Sequence, residues 1–123
     1  MVLRGNIYYI VEEKYVGSEQ NAGRPAIVVS NNVCNIHSTV VEVVFLTTQP
    51  KTNLPTHVPI RSTSKPSIAL CEQITSVSVT RLGRRAGTCT EQEIRALNDA
   101  LRISLALEPQ TENAKSTTCK DAR

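Results

Sequence analysis

The chain has 123 residues, 40% of them hydrophobic, with three Tyr, one Phe, no Trp and a net charge of +3. That length supports one hydrophobic core and one domain, and no apolar run is long enough for a transmembrane helix. The mild basic charge and the scarcity of aromatic residues argue against a general nucleic-acid coat and against a base-stacking sheet, but leave room for a short RNA in a local groove. No signal-like segment opens the chain, so the expected location is the cytoplasm.

Gly5 to Val11 is β-branched and aromatic and predicts a first strand. Glu12 to Arg24 reads as a polar loop. Pro25 to Ser30 follows as a short apolar strand, its Pro at the first position, where a missing N–H is tolerated. Asn31 to Ser38 reads as a loop, opened by the turn signal Asn31-Asn32. Thr39 to Leu46 predicts a strongly β-branched strand, His57 to Ile60 a short one, and Ser67 to Val79 a long one. Arg61 to Pro66 is a loop and Arg81 to Gly87 a basic turn. Thr90-Glu91-Gln92-Glu93 fits a capping box and opens the one long helix. Its apolar residues form two stripes, Ile94, Leu97, Leu101 and Leu105 beside Ala96, Ala100, Ile103 and Leu107. So broad a surface predicts burial on two sides, one against the sheet and one against a second subunit. The sum is a five- to seven-stranded, mostly antiparallel β barrel with a C-terminal helix over residues 1–107. A polar tail, 108–123, is expected to be disordered.

The chemistry concentrates at strand ends. Arg24-Pro25 opens one apolar strand and Thr47-Thr48-Gln49 closes another. A permanently charged guanidinium and a pair of hydroxyls held there are suited to gripping a phosphate. Arg81, Arg84 and Arg85 form a basic cluster that reads as a phosphate-positioning patch. Tyr15 is a candidate to stack one base. Glu72 and Gln73 interrupt an apolar run and read as a hydrogen-bonded structural pair. His57 has the type of a general base but reads as structural, and His37 as exposed. The four cysteines, Cys34, Cys71, Cys89 and Cys119, contain no C-x-x-C pair and read as reduced thiols. No metal or cofactor is expected.

Taken in order, Gly17-Ser18-Glu19-Gln20, Arg24-Pro25, Thr47-Thr48-Gln49, Leu54-Pro55-Thr56-His57-Val58, Leu70-Cys71-Glu72-Gln73-Ile74 and Asp99-Ala100-Leu101-Arg102-Ile103-Ser104-Leu105 resemble the MazF/PemK (Kid) family of toxin endoribonucleases. The resemblance spans about residues 3 to 107. It implies an SH3-like barrel, a homodimer, and metal-independent cleavage of single-stranded RNA at a short sequence. The cut would proceed through 2′-OH attack to a 2′,3′-cyclic phosphate and a 5′-OH. A small antitoxin would neutralise the enzyme and would be its only link to DNA. The resemblance also implies that Arg24 and Thr47 carry the chemistry and that Glu19 and Gln20 shape the RNA cleft. Tyr15, Ser18, Thr48, Gln49, Glu72, Gln73, Arg84 and Arg85 complete the expected substrate contacts.

PemK-type members use an Arg and an Asp where this chain has Leu70 and Glu72, so it follows the MazF-like variant. Around Gly17 to Gln20 the usual preceding Pro and following Gly-Gly are replaced by Lys14-Tyr15-Val16 and Asn21-Ala22-Gly23. Cleavage specificity is therefore not transferable from relatives. The same barrel also serves non-catalytic binding modules, such as gyrase poisons, and decayed toxins. Arg24-Pro25 with Thr47-Thr48-Gln49 favours the nuclease.

Overall fold

The computed structural model describes residues 1–11, 23–50 and 52–107. Six strands and two helices follow in the order β1 (Asn6–Ile10), β2 (Arg24–Val28), α1 (Asn32–His37), β3 (Val40–Thr47), β4 (His57–Ile60), β5 (Ser67–Ser78), β6 (Leu82–Thr88) and α2 (Glu91–Leu105). They form one sheet in the order β4-β5-β3-β2-β1-β6, with every pairing antiparallel. The strand count lies within the expected five to seven. Among the described residues no helix is long and apolar enough to cross a membrane.

The near-continuous apolar run of β2 has a direct cause. β2 lies between β1 and β3 and is buried on both faces. Ile27 on one face joins Ile7, Val44, Leu46, Val58, Ile60, Ala69 and Cys71 beneath Leu97, Ala100 and Leu101 of α2. Ala26 and Val28 on the other face join Ile10, Val41, Val43 and Val77. Pro25 is the second residue of β2, not the first. It pairs with Tyr9 of β1, while the β3 ladder begins at Ala26, so its missing donor falls where β3 makes no pairing.

The sheet curls until its two ends in the strand order meet. A Cβ at Gly87 of β6 would run into the carbonyl of Ser62, just beyond β4. Glycine is required there because two backbones touch.

Two segments differ from their sequence reading. Asn31 to Ser38 is not a loop but contains α1. Asn31 acts as the N-cap, its side chain accepting from the Cys34 N–H at 2.8 Å. The residue that signals a turn also caps helices. Arg81 to Gly87 is not a turn either. A 3₁₀ turn at Val79–Arg81 leads into β6, whose polar, glycine-bearing sequence is held extended by pairing with β1. Tertiary pairing overrides weak strand propensity there.

The predicted helix start is observed in full. The Thr90 hydroxyl accepts from the Glu93 N–H at 3.1 Å, and the Glu93 carboxylate accepts from the Thr90 N–H at 2.9 Å. Of the two apolar stripes, Leu97, Ala100 and Leu101 are buried, whereas Ile103, Leu105 and Leu107 remain more than half exposed on this chain.

Candidate active site

The second face of the sheet changes character along its length. Its middle is the apolar cluster of Ala26, Val28, Val41 and Val43. Its end is polar. Ala26 lies opposite Phe45 in the last β2–β3 pair, and Arg24 and Thr47 each lie two residues beyond it on their own strand, so they continue the same face. Thr47 in turn pairs with Ile68 of β5, and Leu70 of β5 pairs with His57 of β4. Side chains of directly opposed residues share a face. Four strands therefore deliver Arg24, Thr47, Leu70 and His57 to one place.

An irregularity in β5 completes the set. From Val44↔Ile74 to Leu46↔Ala69, β3 advances two residues and β5 advances five. The extra length around Leu70 to Gln73 bulges, and bulges re-aim side chains. The result is a cleft of about 310 Å³ lined by Arg24, Thr47, Gln49, Pro50, Thr52, His57, Leu70, Glu72 and Gln73.

Arg24 is exposed, and its guanidinium lies 4.7 Å from the centroid of the Phe45 ring. That distance suits a cation–π contact. One Nη2–H donates to the Leu46 carbonyl at 3.4 Å, which uses one of the five donors of the fork. The Thr47 hydroxyl oxygen accepts from the Gln49 N–H at 3.1 Å, which keeps its own O–H available for donation. Arg24 thus supplies charge and Thr47 a neutral donor, on adjacent strands.

Glu72 is the carboxylate of the cleft. The Thr56 hydroxyl donates to Oε1 at 2.7 Å and His57 Nε2–H donates to Oε2 at 3.0 Å. The Leu54 N–H approaches His57 Nδ1 at 3.5 Å, which makes Nδ1 the acceptor and places the ring proton on Nε2. Burial works to raise the Glu72 pKa. Hydrogen bonds from Thr56, from its own backbone N–H and from His57 outweigh that and hold it below the usual carboxylate range. Glu72 is therefore ionised at neutral pH. Its partners are Thr56 and His57 rather than Gln73, so the expected Glu72–Gln73 pair does not form.

Of the residues expected from sequence, Arg24, Thr47, Gln49, Glu72 and Gln73 come together in this cleft. Thr48 is exposed just beyond β3 and is not among the lining residues. Arg84 and Arg85 are exposed on β6, at the other end of the strand order, and do not line it. Tyr15, Ser18, Glu19 and Gln20 lie outside the described residues. The sequence reading did not single out Phe45 as the support of Arg24, and it read His57 as structural; the structure sets His57 against Glu72. His37 is exposed as expected. Among the described residues Cys34, Cys71 and Cys89 are free. Burial, aided by Glu72, pushes the Cys71 thiol up to about 11, so it stays protonated.

Among known proteins, residues 3–105 match the family model described as PemK-like, MazF-like toxin of type II toxin-antitoxin system. Endoribonuclease EndoA of Bacillus subtilis is 35% identical over 112 residues, covering 87% of this chain and 97% of the relative. Endoribonuclease MazF of Staphylococcus saprophyticus is 32% identical, covering 87% and 93%. A solved endoribonuclease in complex with its cognate antitoxin, from a mycobacterial species, superposes with a TM-score of 0.75 at 28% identity, covering 89% of this chain and all of that one. The chain belongs to the PemK-like, MazF-like toxins of type II toxin-antitoxin systems.

Proposed function

We propose that the protein is an endoribonuclease toxin that cuts single-stranded RNA, mRNA included, at a short sequence without a metal ion. The observation that carries this reading is the meeting of Arg24 and Thr47 in one cleft, at the ends of adjacent strands.

RNA carries its own nucleophile. The 2′-OH attacks the adjacent phosphorus, a new P–O2′ bond forms and the P–O5′ bond breaks. One proton leaves the 2′-oxygen and one reaches the departing 5′-oxygen. The products are a 2′,3′-cyclic phosphate and a 5′-OH end. The phosphorane between them is crowded with negative charge. Arg24 neutralises that charge with a fork of N–H donors, and its pKa above about 12 makes it an electrostatic partner rather than a proton shuttle. Thr47 donates its O–H to a phosphate oxygen, and Gln49 and Gln73 flank the bound strand.

The toxin domain is residues 1–107, and it works in the cytoplasm. Its protein partners are a cognate antitoxin and a second copy of itself, which covers Ile103, Leu105 and Leu107. The antitoxin reading is supported by the solved relative in complex with its antitoxin.

The test is incubation of the purified protein with a long mixed-sequence RNA in EDTA, beside Arg24→Ala, with the ends mapped. Cuts at one motif with 5′-OH ends, absent from the variant, are expected. Intact RNA in both samples would replace this reading with a protein-binding module or a decayed toxin.

A further inference from the structure

Building on the reading of the cleft as an RNA site, we propose that His57 is a positioning residue that holds Glu72 as a fixed reader of one RNA base. The position read accepts a base bearing an amino group and rejects uracil.

The argument starts from charge. A phosphate held by Arg24 and Thr47 repels a carboxylate, so the part of the substrate lying against Glu72 must offer N–H or O–H groups. Adenine, cytosine and guanine each carry an exocyclic amino group on the edge used for pairing. Uracil offers a single N–H between two carbonyl oxygens, and those oxygens would be pressed against the carboxylate. An ionised Glu72 therefore selects against uracil, provided that it cannot turn away.

The structure prevents that turn. Thr56 holds Oε1 at 2.7 Å, His57 holds Oε2 at 3.0 Å and the Glu72 backbone N–H donates to the same carboxylate, so the group keeps one lone-pair site in a set direction. The two clamps are themselves anchored. Thr56 is buried, and its carbonyl accepts from the Cys71 N–H at 3.1 Å. His57 begins β4 opposite Leu70 of β5. A reading group held by supporting hydrogen bonds on strands discriminates better than one on a free side chain.

His57 acts through Glu72 and not on the substrate. Its side chain is 7% exposed, against 30% for Glu72. Its Nε2–H is engaged by Glu72, and its Nδ1 faces the Leu54 N–H. Neither nitrogen is left to take a proton from a 2′-OH.

The test is cut-site mapping on a randomised RNA library with the wild type, Glu72→Gln, His57→Leu and His57→Gln. The wild type is expected to discriminate against uracil at one site position. Glu72→Gln and His57→Leu should lose that preference by about ten- to a hundredfold, the range of one good base contact. His57→Gln keeps an N–H for the carboxylate and should retain most of it. A purely structural His57 would lower the melting temperature and leave the base profile unchanged, and that result overturns the proposal. A uniform rate loss in Glu72→Gln at every motif also overturns it, since Glu72 would then face a ribose hydroxyl. Should His57→Leu fail to fold by circular dichroism, the more exposed Glu72→Gln decides alone. A wild type that leaves the library intact overturns the nuclease reading itself, and this one with it.

Discussion

Two glutamates in this molecule are built alike and do different things. Glu72 in the cleft accepts from Thr56 and His57. Glu93 at the start of α2 accepts from the Arg61 N–H at 2.8 Å, the Ser62 hydroxyl at 2.6 Å and the Thr90 N–H at 2.9 Å. Burial works to raise the pKa of each, and in both cases hydrogen bonds win and lower it. The surroundings separate them. Glu93 is saturated by donors from the segment after β4 and from the helix cap, so it ties α2 to the sheet. Glu72 sits in open space shared with an exposed Arg24 and a Thr47 whose O–H is unengaged. A lowered pKa, a set of partners and a cavity shared with an arginine are common to both, since Glu93 lines a cavity of about 370 Å³ with Arg61. What the Glu72 cleft adds is the Thr47 O–H beside an Arg24 that rests on Phe45.

The largest expected effect comes from removing the cation that lines the Glu72 cleft. Arg24→Ala should lower the cleavage rate about a hundred- to a thousandfold, as loss of one transition-state donor typically does, with an unchanged circular dichroism spectrum. Thr47→Ala should cost a similar factor or somewhat less. Near-normal cutting by Arg24→Ala would remove the distinction between the two regions.

Glu93→Ala should do the reverse. Loss of a capping-box partner and two further hydrogen bonds should cost about 1–2 kcal/mol, a fall of about 5–10 °C in melting temperature. Cutting at 25 °C should stay at the wild-type rate and motif. A changed motif would show that the helix start reaches the substrate.

Acid sharpens the comparison further. Each glutamate has a folded pKa below its unfolded value. Its contribution is therefore fully present above the ordinary carboxylate range and is lost as pH falls through the lowered folded value. Melting temperature followed from pH 7 down to 3 should fall for the wild type and fall less for Glu93→Ala. Glu72→Gln should flatten the curve less, because Glu72 is more exposed.

The smallest effect is expected at β6. Arg84→Ala with Arg85→Ala should weaken RNA binding evenly across sequences and reduce the salt slope by about one for each phosphate left without its cation. The cut motif should not change. A shift in motif would place these arginines in the base-reading region.

Much of this was legible in the chain because it is local. The capping box at Thr90 and Glu93 needs only four residues, and β4 emerges at His57–Ile60 as expected. Arg24 and Thr47 were legible as charge and hydroxyl at the ends of apolar strands. Asn31 was ambiguous because one short polar side chain serves both turns and helix caps, and packing decides which forms. β6 was hidden because Gly83, Arg84, Arg85 and Gly87 carry no alternating apolar signal, and β1 supplies the pairing that makes them a strand.

By itself, then, the amino-acid sequence determined the strand-rich domain, the capped terminal helix and the charge and hydroxyl, Arg24 and Thr47, that meet in the cleft. Each of these depends on propensity, pattern or spacing along the chain. The tertiary structure alone decided that Arg24 rests on Phe45 and that His57 and Thr56 clamp Glu72. Those contacts depend on strand register and on a bulge in β5, where one residue of slip would turn every side chain to the opposite face.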